Sequence, residues 1–327
     1  MADVVENLAD QIIAGDRRAL AKGITLVESS LENHRQQASV LLDLLMPFTG
    51  QSLRLGISGA PGVGKSTFIE ALGNHLVELG HSVAVLAVDP SSAVTGGSIL
   101  GDKTRMESFA FSDQAFVRPS PAGKTLGGVA RRTRESMLVC EAAGFDIVLV
   151  ETVGVGQSET AVADMTDMFL LLLLPSGGDE LQGIKRGIME LADLIVVNKA
   201  DGDQVNTAQQ TMADYRSALH FLTPRSIDWP PPVVTCSSLT KDGIGDIWTE
   251  VARFKSVMAA EARLQSNRAS QSVAWMWQEV AETLLSDVKR NPQLQVVVEE
   301  MESGVREGRV AATVAAESII RQHSQPK

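Results

Sequence analysis

The sequence has few cysteines and no long apolar run. Its 327 residues include two cysteines, Cys140 and Cys236, outside any paired motif, which excludes a disulfide framework and is typical of a reducing compartment. The longest apolar run, residues 168–174, is far too short to cross a bilayer. The N-terminal stretch is acidic and amphipathic, unlike a secretory signal or an arginine-rich transit peptide. We therefore expect a cytoplasmic protein that enters no membrane.

Basic residues are also scarce. The formal net charge is -11, and no lysine- or arginine-rich tail offsets it. Because nucleic acids and anionic membranes are bound through basic surfaces, we expect neither kind of partner. The chain is 44% hydrophobic with 27 glycines and 12 prolines, which is typical of a globular protein that buries a large core.

Short apolar runs in the middle of the chain predict an α/β fold. Six runs rich in Val, Ile and Leu are almost continuously apolar, as strands covered on both faces must be. Most are separated by helix-length segments, which favours βα crossovers and a mainly parallel sheet flanked by helices. The predicted strands are 53–58, 82–88, 146–150, 168–174, 194–198 and 233–236.

Helical spacing of apolar residues marks both ends of the chain. We predict an N-terminal helical extension at 1–48, a central domain at 49–256 and a C-terminal helical region at 257–327. The segment 90–135 is instead rich in Gly, Ser, Lys and Arg and has few periodic apolar positions. We therefore expect a mobile loop with short helices in that segment, since loops of this length are usually functional or disordered.

A glycine-rich stretch follows the first predicted strand. The letters GAPGVGKS at 59–66 match the full G-x-x-x-x-G-K-[ST] pattern and predict a P-loop NTPase fold. The glycines let backbone N–H groups turn toward phosphate oxygens, Lys65 reaches the β- and γ-phosphates, and the Ser66 hydroxyl ligates Mg²⁺. A glycine-rich turn with a chance Lys-Ser pair is the alternative, which the strand before it and the helix after it disfavour. The predicted phosphate-contacting residues are Gly59, Pro61, Gly62, Val63, Gly64, Lys65, Ser66 and Thr67.

The fifth predicted strand ends in a motif that reads a base. Asn198-Lys199-Ala200-Asp201 is the Asn-Lys-x-Asp motif of GTPases, in which the Asp201 carboxylate accepts from two guanine donors that adenine lacks. A polar turn with Asp201 as a helix N-cap is the alternative. The phosphate-binding loop about 130 residues earlier decides for guanine, so GTP and GDP are the expected ligands.

The stretch 235–239, after the sixth predicted strand, resembles the third base-contacting loop of GTPases. In that loop, backbone N–H groups meet guanine O6. The stretch departs from the usual Ser-Ala-Lys or Ser-Ala-Leu by Ser238, a change that we expect to be tolerated. The predicted base-contacting residues are Asn198, Lys199, Asp201, Ser237, Ser238 and Leu239.

The third predicted strand runs into a segment that resembles a γ-phosphate switch. Glu151 takes the place of the usual Asp in the Asp-x-x-Gly pattern, and the N–H of Gly154 would sense the γ-phosphate. Val155 stands where Ras-like GTPases carry the Gln that orients the attacking water. We therefore predict slow intrinsic hydrolysis, with Lys65, Glu151 and Gly154 as the catalytic residues.

Four segments together resemble one family. They read ISGAPGVGKST at 57–67, AVDPSS at 87–92, TGGSILGDKTRM at 95–106 and ETVGVGQSE at 151–159. With them the chain resembles, over nearly its whole length, the methylmalonyl-CoA mutase-associated GTPases, also known as arginine/ornithine transport ATPases. The resemblance implies a GTP-hydrolysing chaperone that binds methylmalonyl-CoA mutase or a related cobalamin-dependent acyl-CoA mutase. Its GTP state would govern adenosylcobalamin loading, protection and reactivation.

The resemblance also implies a metal site and a homodimer. Asp89, Asp102 and Glu151 would hold Mg²⁺ and its waters together with Ser66, and carboxylates near strand ends suit such an ion. Asp102 taken alone is equally well interpreted as a solvated loop acid. The C-terminal helices would build the homodimer, although packing on the chain's own nucleotide-binding domain is an equal alternative. The apolar helix face in question is formed by Val273, Trp277, Val280, Leu284 and Val288.

Two other functions fit less well. A nickel-insertion metallochaperone GTPase needs clusters of His or Cys, whereas this chain has five dispersed histidines and no Cys-x-x-Cys. The Asn-Lys-Ala-Asp motif counts against a transport-linked ATPase or kinase.

A glycine- and charge-rich stretch at 175–187 follows the fourth predicted strand. We interpret it as a third mobile segment that presents Asp179, Gln182 and Lys185 to the mutase. A plain strand-to-helix connection is the alternative.

Overall fold

A parallel sheet forms the centre of the first structural unit. The structure, a computed structural model, describes residues 2–88, 107–119, 126–152, 158–175, 186–221, 228–260 and 262–323. The strands in these ranges are β1 Leu53–Gly59, β2 Val83–Val88, β3 Ala115–Arg118, β4 Ile147–Thr152, β5 Met168–Leu173, β6 Leu194–Val197 and β7 Val233–Thr235. They are hydrogen-bonded in the order β3-β2-β4-β1-β5-β6-β7, and every neighbouring pair is parallel. The predicted α/β fold is confirmed.

Helices precede the sheet, connect its strands and follow it. The first three are α1 Ala2–Ile13, α2 Arg17–Glu28 and α3 Glu32–Leu45. Those between strands are α4 Lys65–Glu78, α5 Glu107–Ala110, α6 Leu126–Ala142, α7 Ser158–Ala163, α8 Arg186–Leu191 and α9 Val205–Leu219. Those after the sheet are α10 Ile244–Ala260, α11 Arg263–Arg290, α12 Pro292–Arg306 and α13 Ala312–His323.

The sheet separates two hydrophobic cores. Side chains of β4 alternate between them, so that Val148 and Val150 lie in one core and Ile147 and Leu149 in the other. The first core includes side chains of α1, α2, α3 and α6, and the second includes side chains of α4 and α10. The helices of residues 2–45 thus pack on α6, on one side of the sheet.

Part of the segment 90–135 is regular structure, and the prediction of a loop with short helices is wrong there. It contains the edge strand β3 and most of the 17-residue helix α6. The buried face of α6 includes Ala130, Thr133, Ser136 and Met137, and two of these are polar, so the apolar periodicity is weak. The apolar run of β3 ends after three residues at Arg118, and polar residues flank it on both sides. Residues 89–106 and 120–125 lie outside the described ranges.

Two ion pairs join elements at the amino end of the sheet. The Arg268 guanidinium donates to both carboxylate oxygens of Asp167, at 2.7 and 2.6 Å, and to the carbonyl of Gly50 at 2.6 Å. Nearby, Arg54 of β1 pairs with Glu141 of α6 at 2.6 Å. Because Asp167 precedes β5, the pair with Arg268 fixes the first turns of α11 to the loops that enter β1 and β5.

The chain divides into two units, Met1–Arg268 and Ala269–Lys327. The second unit holds the rest of α11 together with α12 and α13. α12 begins after Asn291, whose side chain accepts from the N–H of Gln293. Leu294 and Ala315 are its buried apolar side chains among the described residues. No helix in the described ranges is both long enough and apolar enough to span a membrane.

Candidate nucleotide-binding site

The glycine-rich loop connects β1 to α4 at the carboxyl edge of the sheet. Gly62 and Gly64 have φ values of 82° and 94°, in the left-handed region that favours glycine. A Cβ atom on Gly59 would lie 2.5 Å from the Leu172 carbonyl oxygen of β5, so a side chain is excluded there as well. α4 begins at Lys65, and its N-terminal N–H groups and partial positive charge face the loop. This geometry suits a phosphate.

Lys65 is folded onto the loop that precedes it. Its Nζ donates to the carbonyl oxygens of Gly59 and Ala60, at 2.8 and 3.4 Å. Burial lowers the pKa of Lys65, and the nearby carboxylates of Glu151 and Glu159 act in the opposite direction. The structure therefore places a buried ammonium group, flanked by acids, inside the loop.

Glu151 and Ser66 bring two oxygen ligands together. The Ser66 hydroxyl donates to Glu151 Oε1 at 3.2 Å, and Glu151 is buried near the end of β4. One residue later, the Thr152 hydroxyl donates to Ser58 Oγ at 2.8 Å and ties β4 to β1. Hydroxyl and carboxylate oxygens are the ligands that Mg²⁺ prefers, so this pair fits that ion.

The rest of the predicted metal and switch set is not described. Asp89, Asp102 and Gly154 lie outside the described residues, and their roles stay predictions. Within the described ranges, no group of three or more His, Cys, Asp or Glu side chains is arranged to hold a metal ion. Ser66 and Glu151 are thus the predicted magnesium ligands whose positions are known.

Two side chains of the predicted base-reading motif, Asn198 and Lys199, contact the predicted phosphate-binding loop. Asn198 Nδ2 donates to the Val63 carbonyl at 2.9 Å, although Val63 lies 135 residues earlier in the chain. Lys199 has a positive φ of 59°, and its Nζ donates to the Gly62 carbonyl at 2.7 Å. The structure therefore brings the two predicted motifs into direct contact.

Asp201 is held by the loop after β7. The Ser237 hydroxyl donates to Asp201 Oδ2 at 2.5 Å and accepts from the Thr240 N–H at 3.1 Å. Asp201 stands before the short 3₁₀ turn Gly202–Gln204, but its side chain makes no capping hydrogen bond to it. The geometry thus disfavours the N-cap alternative and leaves a carboxylate positioned by a serine.

The loop after β7, predicted to be the third base-contacting loop, is tightly folded. The Ser237 N–H donates to the Asp242 carbonyl at 3.0 Å, and Gly243 has a φ of 77°. A Cβ atom on Gly243 would lie 2.6 Å from the Thr235 carbonyl oxygen. Leu239, by contrast, exposes 78% of its surface. An apolar side chain of this exposure beside the base-reading residues suits contact with the flat face of a base.

Three polar residues of the candidate site were not among the predicted ones. Ser58 and Thr152 join two strand ends, and the Cys236 thiol donates to Asn198 Oδ1 at 3.4 Å. All three lie at or just beyond the carboxyl ends of parallel strands, where ligand sites of α/β folds form. A search of the polar residues at the carboxyl end of every predicted strand would have found these three.

Comparison with known proteins agrees with this geometry. The family model described as methylmalonyl Co-A mutase-associated GTPase MeaB matches residues 20–293. A protein of Caulobacter vibrioides named as a GTPase is 56% identical over 316 residues, which cover 97% of each chain. The mitochondrial methylmalonic aciduria type A homolog of Mus musculus is 46% identical over 97% of this chain and 79% of the mouse protein.

A solved structure has the same fold. The crystal structure of a LAO/AO transport system kinase superposes with a TM-score of 0.78 and 39% sequence identity. The match covers 99% of this chain and 98% of that chain.

Proposed function

The chain belongs to the MeaB family of methylmalonyl-CoA mutase-associated GTPases, and from that premise we propose that it is a GTP-hydrolysing chaperone of a cobalamin-dependent acyl-CoA mutase. Its partner is methylmalonyl-CoA mutase or a close relative, and its GTP state governs adenosylcobalamin loading, protection and reactivation. The family match supports the mutase as partner, and the contact between Asn198 and Val63 carries the GTP-binding part of the proposal, because it joins the predicted base-reading motif to the predicted phosphate-binding loop. The cysteine content supports the cytoplasm as its location.

The residues of the site divide the chemistry between base and phosphates. Asp201, held by Ser237, accepts from the N1–H and the amine of guanine. The backbone of the glycine-rich loop and the Lys65 ammonium surround the β- and γ-phosphates and stabilise charge as the terminal phosphoryl group leaves. Ser66 and Glu151 would hold Mg²⁺, which neutralises charge on the phosphate oxygens when it is bound.

Slow hydrolysis by the free protein, and its acceleration by the mutase, test this proposal. Because Val155 stands where Ras-like GTPases have a water-orienting Gln, we expect turnover of the free protein below roughly 1 s⁻¹, the low end for phosphoryl-transfer enzymes. Saturating mutase should raise it. Gln182→Ala and Lys185→Ala, in the proposed third mobile segment outside the described residues, should reduce that acceleration and leave basal turnover unchanged.

The measurement is GTP turnover with and without saturating mutase. Lys255→Ala, which removes an exposed lysine of α10, is the matched control and should respond to the mutase like the wild type. If the mutase stimulates the Gln182 and Lys185 variants as strongly as the wild type, the segment is only a connection and does not transmit the signal. Turnover that does not respond to the mutase would contradict the proposed partnership itself.

We also propose that the C-terminal region 257–327 forms a homodimer. The described side chains of α11 support this, because Val273, Trp277 and Leu284 are all at least half exposed in the single chain. Exposed apolar area of this kind commonly marks a protein interface. Leu284→Asp should therefore shift the protein from dimer to monomer in sedimentation equilibrium, while Leu79→Asp, which charges an exposed leucine just after α4, should not. A wild type that sediments as a monomer would exclude the dimer.

A further inference from the structure

Three donors surround the side-chain oxygen of Asn198. Oδ1 accepts from the Ser238 hydroxyl at 2.7 Å, from the Ser238 N–H at 3.1 Å and from the Cys236 thiol at 3.4 Å. The opposite end of the same amide donates to the Val63 carbonyl, and Asn198 is only 1% exposed. A flipped amide would oppose donors to donors and an oxygen to a carbonyl, so the orientation of Asn198 is fixed.

The Ser238 N–H is engaged in this cluster although the base needs it. In the predicted mode of guanine binding, backbone N–H groups of this loop meet O6. Without the Ser238 hydroxyl, a Ser238 N–H that turned to O6 would leave Asn198 Oδ1, in a buried site, with only the weak and longer contact to the Cys236 thiol. A buried acceptor that loses its partner is destabilised by about 1–3 kcal/mol. The Ser238 hydroxyl, which is the nearest donor, removes that penalty.

We propose that Ser238 is a positioning residue that determines specificity for the 6-oxo group of guanine. Its hydroxyl keeps Asn198 Oδ1 satisfied, and its N–H is thereby released to guanine O6 while Asn198 still holds the phosphate-binding loop through Val63. Adenine carries an amine at this position and offers the N–H no acceptor. An alanine at 238 is therefore not equivalent to serine in this chain, contrary to the expectation that the departure is merely tolerated. The inference rests on the proposed binding of GTP.

The test compares nucleoside diphosphates that differ at the base. Ser238→Ala should weaken binding of GDP and of inosine diphosphate, which both carry O6, by about 10-fold. It should change binding of 2-aminopurine riboside diphosphate, which lacks O6, by less than about 2-fold, because no N–H then needs to be released. Ser238→Thr, which keeps the hydroxyl, should restore GDP binding to within about 3-fold of the wild type.

A control variant and thermal melts distinguish a positioning role of Ser238 from a general effect on the stability of the fold. Ser217→Ala removes an exposed helical hydroxyl that donates to the Ala213 carbonyl at 3.0 Å, and it should leave all three affinities unchanged. Melting temperatures of the nucleotide-free variants should match the wild type. Unchanged GDP binding by Ser238→Ala, or an equal loss for the nucleotide that lacks O6, would overturn the inference alone. A wild type that binds ADP as tightly as GDP would overturn the proposed function together with it.

Discussion

Lys65→Ala is expected to lower GTP turnover at saturating GTP by at least about 100-fold, the loss that follows removal of one charge-stabilising donor in a dry site. The Lys65 ammonium is the positive charge that the phosphate-binding loop itself contributes, and α4 places it within the loop at 2.8 Å from the Gly59 carbonyl. Charge that develops on the transferring phosphoryl group would lose this partner. Mutase cannot restore it, so the stimulated rate should fall in the same proportion.

The substitution of Lys65 also affects the stability of the fold. Lys65 is buried in a cluster with Glu151 and Glu159, both acidic, so its loss leaves that cluster more negative. Turnover should be measured beside a thermal melt, with Lys255→Ala as a matched control. A variant that melts like the wild type and retains more than about a tenth of the turnover would contradict the role given to Lys65.

Asp201→Asn is expected to weaken GDP binding by two to three orders of magnitude, roughly the value of two hydrogen bonds to a charged acceptor. Ser237 donates to Asp201 Oδ2. In the Asp201→Asn variant the side-chain oxygen therefore turns to Ser237, and the amide NH2 group points toward the base. That amide NH2 group faces the N1–H and the amine of guanine, so that donors oppose donors. Xanthosine diphosphate carries a carbonyl in place of the amine and should bind the variant better than GDP.

Calorimetric titration of wild type and variant with GDP, xanthosine diphosphate and ADP measures this exchange. Asp203→Asn, an exposed position in the neighbouring 3₁₀ turn, is the control and should bind GDP like the wild type. If the wild type binds ADP as well as GDP, the base assignment is wrong. If xanthosine diphosphate gains nothing from the substitution, Asp201 does not read this edge of the base.

The strands of the sheet centre were predictable from the sequence, whereas the edge strand β3 and the helix α6 were not. β5 and β6 consist wholly of apolar residues, and β4 does as far as Val150, because side chains on both of their faces are buried. β3 lies between polar stretches in a segment rich in Gly, Ser, Lys and Arg, and α6 buries Thr133 and Ser136 among its apolar side chains. Composition alone then resembles that of a loop.

The site followed the same division between local pattern and long-range contact. The glycines of the phosphate-binding loop and the Asn-Lys-x-Asp motif are local patterns, and their spacing after strands predicted their place. The contact of Asn198 with Val63 depends on β1 and β6 both neighbouring β5, which joins residues 135 positions apart. The proposed positioning role of Ser238 depends on that contact. In the sequence, its one visible sign was that Ser238 stands where GTPases usually have alanine.

The position of the first three helices in the sequence affects how the chain folds during synthesis. Leu20, Ile24 and Leu41 lie in one core with residues of α6, which begins about 80 residues after α3 ends. At a ribosomal rate of roughly 5–20 residues per second, α1 to α3 wait on the order of 4–16 s before this partner emerges. During that interval the apolar side chains that α6 covers in the folded protein stay exposed. The nascent chain is therefore most prone to aggregate after α1 to α3 have formed and before α6 has packed on them.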